Sequence, residues 1–162
     1  MSQLTPQEIQ FADTASIRAE GTALVVGTPG EVWAVLVDHE SWPMWFAGVK
    51  SCRATSDPAR GVGSTREVVL VGGSRFRERF IAWEEGALWS FTATEMTPAV
   101  FRSLVERVTI AEFSPGRTQV IYRMAFDPKP FLRPVAPLLA KVVSRNLTKA
   151  MDRLAGEVVA RR

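Results

Sequence analysis

The pattern of hydrophobic and polar positions is most regular at the C-terminal end of the chain, over Pro137–Arg162. Apolar residues recur there at spacings of three and four, and charged residues lie mostly off this stripe. The pattern predicts one long amphipathic helix with a broad apolar face. A face of this length needs a large curved surface to pack on, and a sheet wrapped around the helix is the simplest one.

The preceding sequence predicts short strands joined by turns that contain Gly or Pro. Short turns favour antiparallel pairing of consecutive strands. Two short helices are predicted after the first strand, at Glu31–Val37 and Trp42–Phe46, with Thr28 as N-cap of the first helix and Pro29 at its first position. The predicted strands are Ile17–Val26, Val49–Thr55, Ser64–Val71, Arg75–Trp83, Leu88–Glu95, Phe101–Phe113 and Thr118–Phe126.

The predicted fold class is therefore α+β, with a seven-stranded antiparallel curved sheet around the C-terminal helix. Residues 1–14 show no strong period and are expected to be a flexible lead-in. Residues 15–162 are expected to form a single domain, which suits the length of the chain.

The strand Arg75–Trp83 shows which face of the sheet points inward. Phe76, Glu78 and Phe80 alternate with three arginines, so the phenylalanines are predicted to face the helix and the arginines to face water. This places the carboxyl of Glu78 on the concave side. A three-residue turn at Gly72-Gly73-Ser74 avoids pairing like charges, because it pairs Glu67 with Arg79 and Val68 with Glu78. This register predicts Arg66 on the concave face, diagonal to Glu78.

The same alternation, applied to the other strands and to the helix, predicts a concave wall rich in rings and aliphatic groups. The aromatic cluster at Trp42–Phe46 either plugs the core or borders a ligand cavity. The candidate ligand-binding residues are Trp42, Trp45, Phe46, Arg66, Val68, Leu70, Phe76, Glu78, Phe80, Trp89, Phe91, Leu104, Glu106, Val108, Tyr122, Met124, Val143 and Asn146.

Glu78 and Glu106 are the candidates for catalysis. An isolated buried carboxylate is costly, so Glu78 must be paired, protonated or in contact with a wet cavity. It forms a structural pair with Arg66, orients the polar end of a ligand, or acts as an acid or base. Glu106 has either a structural role or a role in proton transfer, and a slip of one residue in its strand would place Val105 and Arg107 on the concave face instead. His39 is expected near the cavity mouth or on the surface without a functional role, and Cys52 is expected to be a small strand residue.

Composition excludes several kinds of site. One cysteine and one histidine cannot build a disulfide, a cysteine metal cage or a multi-histidine metal centre, so no metal or cofactor is expected. No apolar run is long enough to cross a membrane, and the expected location is cytoplasmic. Eight Lys and Arg residues follow position 128, against Asp152 and Glu157. This basic helix allows transient contact with a membrane surface, whereas nucleic acid is not expected as a partner.

The order of elements and several short stretches resemble the START-like superfamily, also called SRPBCC, in its polyketide cyclase/dehydrase and lipid-transport branch. The similar stretches are Thr28–Trp33, Asp38–Trp45, Gly61–Arg66, Glu78 and Gly116–Thr118. The resemblance implies a helix-grip fold in a bacterial protein, with a hydrophobic cavity between sheet and helix. The iron-dependent oxygenases of this superfamily rely on histidines that this chain lacks.

Three functions follow from these observations. The first is binding or transport of a hydrophobic small molecule such as a lipid, polyketide or aromatic compound. The second is a metal-free cyclase, aromatase or dehydratase that uses the cavity carboxylates. The third is an interaction protein that uses its basic C-terminal helix. The ligand and the oligomeric state are left open.

Overall fold

The computed structural model describes residues 1–162 and shows an α+β helix-grip fold. Two 3-10 segments, His39–Ser41 and Pro130–Val135, precede the third and fourth helices. The strands are β1 (Ser2–Gln3), β2 (Ile17–Val26), β3 (Val49–Ala54), β4 (Thr65–Leu70), β5 (Arg75–Glu84), β6 (Leu88–Thr97), β7 (Phe101–Ser114) and β8 (Arg117–Pro128). The helices are α1 (Phe11–Thr14), α2 (Pro29–Leu36), α3 (Trp42–Trp45) and α4 (Ala136–Ala160).

The sheet confirms the predicted architecture of seven antiparallel strands around a long helix. Its order is β2-β8-β7-β6-β5-β4-β3, so every strand from β3 to β8 lies beside its neighbour in sequence. β2 pairs with β8 over its whole length, from Ile17–Phe126 to Val26–Arg117. The long, strongly paired strands curve around the core, and α4 packs on their concave side.

A glycine allows α4 to lie close to the sheet. A Cβ atom at Gly21 on β2 would lie 2.4 Å from the carbonyl carbon of Leu147 on α4, which is far inside van der Waals contact. The C-terminal half of α4 buries Leu147, Met151, Leu154 and Val158 in the main core. The C-terminal part of the predicted apolar stripe therefore faces the sheet, whereas Leu138, Val142 and Val159, which were predicted to widen the stripe, are exposed.

α2 begins where its capping residues predict. The side chain of Thr28 accepts a hydrogen bond from the backbone N–H of Glu31, while the Glu31 carboxylate accepts from the Thr28 N–H at 2.7 Å. Pro29 occupies the first turn. This reciprocal capping box satisfies N–H groups that the helix leaves free, and it sets the direction in which the chain leaves β2.

The first 14 residues, expected to be a flexible lead-in, lie against the sheet. β1 pairs with β6, and the backbone N–H groups of Leu4 and Thr5 donate to Thr94 on β6 and to Arg102 on β7. Leu4 and Ala12 are buried. The segment thus fills the place where β6 and β7 separate, beyond the last ladder pair of those strands at Thr92–Val105.

A short proline-rich segment links β8 to α4. The proline-rich stretch forms a 3-10 segment, Pro130–Val135, and α4 starts one residue before the predicted Pro137. None of the helices combines the length and the apolar character that crossing a membrane requires.

The predicted register of the β4–β5 hairpin is wrong by two residues. Arg66 pairs directly with Glu78, and Glu67 pairs with Arg77, where Val68–Glu78 and Glu67–Arg79 were expected. The backbone N–H of Leu70 donates to the carbonyl of Ser74, so the turn is Val71-Gly72-Gly73. Because side chains alternate with period two, a shift of two residues preserves the faces, and Arg66 still points inward.

Candidate functional site

The concave face encloses a small cavity of about 120 Å³ beneath α3. Ten of its thirteen lining residues are hydrophobic, and the charged ones are Arg66, Glu78 and Glu106. The ring of Trp42 on α3 and the ring of Phe46, which directly follows α3, close the cavity. The strands supply the remaining lining residues, which are Val49, Val68, Leu70, Phe76, Phe101, Leu104, Tyr122 and Met124.

An outer recess of about 290 Å³ adjoins this cavity and leads toward α4. Five residues line both spaces, so they share a wall: Phe46, Leu70, Phe76, Phe101 and Met124. α4 borders only the outer recess, through Val143, Asn146 and Leu147. The inner cavity therefore lies between the sheet and α3, whereas the sequence predicted it between the sheet and α4.

The structure brings together most of the predicted site residues. Thirteen of the eighteen line the cavity or the recess, with Val143 and Asn146 in the recess alone. Five are buried away from both spaces: Trp45, Phe80, Trp89, Phe91 and Val108. All five are buried in the main core, but none of them lines the cavity or the recess.

Arg66 and Glu78 form a closed ion pair at the inner end of the cavity. The Nε atom of Arg66 donates to Oε2 of Glu78 at 2.6 Å, and the Arg66 side chain is fully buried. Burial raises the pKa of the Glu78 carboxyl, and the charge of Arg66 acts against that rise. Because a guanidinium keeps its proton in proteins, we assign the pair as ionic.

Aromatic rings surround the guanidinium group of Arg66. Its central carbon lies 4.1 Å from the ring centre of Trp42 and 4.3 Å from that of Phe91, with Trp89 at 4.9 Å and Phe80 at 5.4 Å. Contacts of this kind between a desolvated cation and ring faces are worth up to about 2 kcal/mol each. Three of the rings expected to line the ligand space thus pack around Arg66 instead, and both Nη atoms are enclosed without an acceptor in the protein.

Glu106 forms a second polar pair with Tyr122. β7 and β8 place these residues on the same face, where the Tyr122 hydroxyl hydrogen-bonds with Oε2 of Glu106. The other carboxyl oxygen, Oε1, has no partner in the protein and is not among the enclosed polar atoms. The Glu106 side chain lines the cavity, so this oxygen is open to it.

Burial sets the protonation of this second pair. Loss of hydration raises the pKa of Glu106 to about 8, with a further rise from the charge of Glu78 and opposing effects from Tyr122 and Arg66. Burial and the neighbouring Glu106 raise the pKa of Tyr122 well above its usual value. At neutral pH the Glu106 carboxyl is therefore mostly protonated, and both members of the pair are uncharged.

His39 is buried, where the sequence predicted a position at the cavity mouth or on the surface. Its ring stacks on Phe80 with centroids 5.7 Å apart, and Nε2 has no partner. Burial, followed by the charge of Arg66, lowers the pKa of His39 to about 3. Cys52 is also buried, and loss of hydration raises the pKa of its thiol to about 11. Neither side chain lines the cavity.

Two cavity residues, Val49 and Phe101, were not among the predicted site residues. Strand alternation would place Phe101, at an odd position, on the face opposite the inward-facing Leu104 and Glu106. The β7–β8 register shifts between Phe101 and Ser103, and this shift turns the Phe101 side chain inward. Val49 is the first residue of β3 and was passed over. Val49 follows the glycine that ends the Trp42–Phe46 segment, and this closeness to the aromatic cluster could have indicated a place beside the cavity.

Comparison with known proteins shows the family of this chain. A model of the family described as polyketide cyclase / dehydrase and lipid transport matches residues 16–159. The chain belongs to this family. The START-like resemblance read from the sequence is thereby confirmed at the level of family and fold.

Relatives and solved structures agree with this assignment. An uncharacterized protein of Mycobacterium tuberculosis is 28% identical over 151 residues, which cover 89% of this chain and 90% of the relative. A START superfamily protein of Mycobacterium smegmatis has a similar fold, with a TM-score of 0.75, 17% identity and coverage of 91% of this chain and 100% of the other.

An aromatase/cyclase named Zhui from a Streptomyces species also has this fold, with a TM-score of 0.74 and 15% identity. The match covers 89% of this chain and 94% of that one. At this identity the likeness concerns the fold alone, so the chemistry of the cavity has to be argued from the residues described above.

Proposed function

We propose that this protein binds or carries a mostly apolar small molecule in the cavity beneath α3. The observation that carries the proposal is a buried space lined by ten hydrophobic residues and a few polar groups, which is the usual composition of a small-molecule site. The adjoining recess offers a route between the cavity and the surface along α4. The family description, which includes lipid transport, supports the same function.

The state of the Arg66–Glu78 pair supports binding over catalysis by Glu78. Both charged groups are occupied by each other, and the pair is enclosed by rings. The ion pair engages Oε2 of Glu78, and an ionised carboxylate has no proton to give to a substrate. We therefore assign this pair a structural role under the proposed function.

Native mass spectrometry of freshly purified protein, followed by solvent extraction, tests the proposal directly. We expect a bound apolar molecule, or uptake of one when the protein is offered hydrophobic probes. Leu70→Trp is expected to fill the shared wall of cavity and recess and to weaken uptake at least about tenfold. Leu24→Trp, at an exposed position on β2, is the matched control. Equal uptake by both variants would place the binding site elsewhere.

Acid–base catalysis is the second candidate function, and one observation favours it. Glu106 lines the cavity, has one unpartnered oxygen and has its pKa raised to about 8, which suits a general acid near neutral pH. The carboxyl would protonate a carbonyl oxygen of a bound polyketide-like chain. Turnover of an identified substrate should then fall at least about a hundredfold in Glu106→Gln. Unchanged turnover would exclude Glu106 as the acid.

Contact with an anionic membrane surface is a third candidate, which the outer side of α4 favours. Large apolar side chains are exposed at Leu138 and Val142 on α4 and at Phe131 in the 3-10 segment before it, and no acidic residue occurs between Asp127 and Asp152. A mixed apolar and basic surface of this kind suits transient docking on anionic lipid. Co-sedimentation with vesicles containing phosphatidylglycerol, compared with pure phosphatidylcholine, measures it. Leu138→Glu should abolish binding, while equal sedimentation with both vesicles would exclude this contact.

A further inference from the structure

The Glu106–Tyr122 pair has more hydrogen-bond donors than the protein has acceptors for them. At neutral pH the pair carries two O–H hydrogens, one on the phenol and one on the carboxyl. One of them is used in the hydrogen bond between the two side chains. The second has no acceptor on any protein atom, and it lies on a pair that lines the cavity. A buried donor without an acceptor costs about 1–3 kcal/mol, so the site favours an occupant that accepts a hydrogen bond.

The charges around the cavity limit what that occupant is. Arg66 and Glu78 neutralise each other at 2.6 Å, and protonated Glu106 adds no charge. An anionic ligand would add an uncompensated negative charge beside Glu78, in a space enclosed by hydrocarbon. The Nη atoms of Arg66 offer no relief, because both are buried away from the open space.

A neutral acceptor oxygen satisfies both conditions. It takes the free hydrogen of the pair and leaves the charge of the cavity at zero. We propose that this cavity selects neutral ligands that carry a carbonyl oxygen, such as ketones or esters, over carboxylates and hydrocarbons, and that Glu106 is the residue that recognises the oxygen. The inference rests on the proposed function, since it names the ligand class of the same cavity.

The groups that face Glu106 from the surrounding elements also predict a pH dependence. Tyr122 on β8, Glu78 on β5 and Arg66 on β4 are the titratable or charged groups that act on it, while its ladder partners Phe91 and Met124 do not titrate. Raising the pH through about 8 ionises Glu106 and removes the free hydrogen. The preference for a carbonyl ligand is therefore expected to disappear above that pH.

Three naphthalene probes of similar size separate the alternatives by isothermal titration calorimetry at pH 6.5. They are methyl naphthyl ketone, ethylnaphthalene and naphthoate. We expect the ketone to bind about fivefold tighter than the hydrocarbon, which corresponds to one net hydrogen bond, and naphthoate to bind most weakly. At pH 9 the ketone and the hydrocarbon should bind with equal affinity.

Substitutions at Glu106 test whether this residue causes the preference for the ketone. Glu106→Leu should remove the preference for the ketone while retaining binding of the hydrocarbon. Glu106→Gln keeps a donor that does not titrate, so the preference should survive at both pH values. Glu112→Gln, an exposed carboxylate on the same strand, is the matched control and should behave as the unaltered protein.

The outcomes distinguish this inference from the proposed function. Equal binding of ketone and hydrocarbon at pH 6.5, or tightest binding of naphthoate, would overturn the inference and leave the cavity as a binding site. A carbonyl preference that persists in Glu106→Leu would overturn the assignment to Glu106. Failure of all three probes, together with failure of fatty acids and sterols, would overturn both proposals.

Discussion

Glu78 and Glu106 are two buried glutamates on the same concave face, and their surroundings give them opposite states. Glu78 lies opposite Arg66 in the β4–β5 ladder and is held as the anion of an ion pair. Glu106 lies two ladder pairs from the pair that contains Tyr122 of β8, and its only hydrogen-bond partner is that neutral phenol. Burial raises the pKa of both carboxyls, but only Glu78 has a cation in contact that opposes the rise.

This difference assigns different work to two chemically identical side chains. The charge on Glu78 is used inside the protein, where it compensates a guanidinium enclosed by four rings. The proton on Glu106 remains available to whatever occupies the cavity. A buried carboxyl near a cavity is therefore informative only together with the partner that the fold gives it.

The largest expected effect is a difference in how much the protein is destabilised when each glutamate is replaced by leucine. Glu78→Leu leaves the buried charge of Arg66 without a partner and should lower the free energy of unfolding by about 3–5 kcal/mol. Glu106→Leu removes an uncharged group and should change it by less than about 1.5 kcal/mol at pH 6. Urea denaturation followed by tryptophan fluorescence measures both. Similar losses in the two variants would contradict the comparison.

A double variant serves as the control for that result. Arg66→Met combined with Glu78→Leu removes both charges, and it should recover most of the stability that Glu78→Leu loses. If the double variant is as unstable as the single one, the loss arises from packing around Glu78 rather than from an unpaired charge.

The pH dependence of stability is the next largest effect. The folded pKa of Glu106 lies near 8 and its usual value is 4.5, so the folded state holds a proton that the unfolded state releases between these values. Glu106 should therefore lower the free energy of unfolding as the pH rises from about 5 to 8, by an amount on the order of a few kcal/mol. His39, whose pKa is lowered to about 3, contributes the opposite slope below its usual value of 6.5, so the net fall is expected between about pH 6.5 and 8. Glu106→Gln should show a flatter profile over that upper range. Parallel profiles would show that Glu106 is ionised at neutral pH.

Removing the Tyr122 hydroxyl tests how much its hydrogen bond affects the pKa of Glu106. Its hydrogen bond with Tyr122 lowers the pKa of the carboxyl, so Tyr122→Phe should raise the pKa of Glu106 above 8 and cost about 1 kcal/mol of stability. Carbon-13 NMR titration of the Glu106 carboxyl measures the pKa. A downward shift would mean that burial decreases in the variant and that Tyr122 also excludes water.

The smallest effect is expected at an exposed ion pair. Arg77 and Glu95 contact each other at 3.2 Å on the outer face, and the Arg77 side chain is 53% exposed. Glu95→Gln should therefore change the free energy of unfolding by less than about 1 kcal/mol, because water screens the pair. A loss equal to that of Glu78→Leu would show that burial is not what distinguishes the buried pair.

Much of the fold followed from local patterns. The period of α4, the alternation in β5 and the capping residues of α2 each involve neighbours in sequence, and the structure confirms them. The inward direction of Arg66, Glu78 and Glu106 also followed, because strand alternation survives a register error of two residues.

Other features depended on packing between distant segments. The sequence did not predict that Phe80, Trp89 and Phe91 surround Arg66, since that requires the positions of several strands at once. The place of Phe101 in the cavity results from a register shift in β7, and the burial of His39 results from stacking on Phe80. Neither the position of Phe101 nor the burial of His39 can be recognised from a periodic pattern in the sequence.

By itself, the sequence determined the helix-grip architecture and the inventory of polar groups on its concave face, because periodicity and alternation are local properties of the chain. Only the tertiary structure decided which partner each polar group meets. That choice depends on ladder register and on contacts between strands far apart in sequence, and it makes Glu78 an internal counter-ion and Glu106 a protonated donor in the cavity.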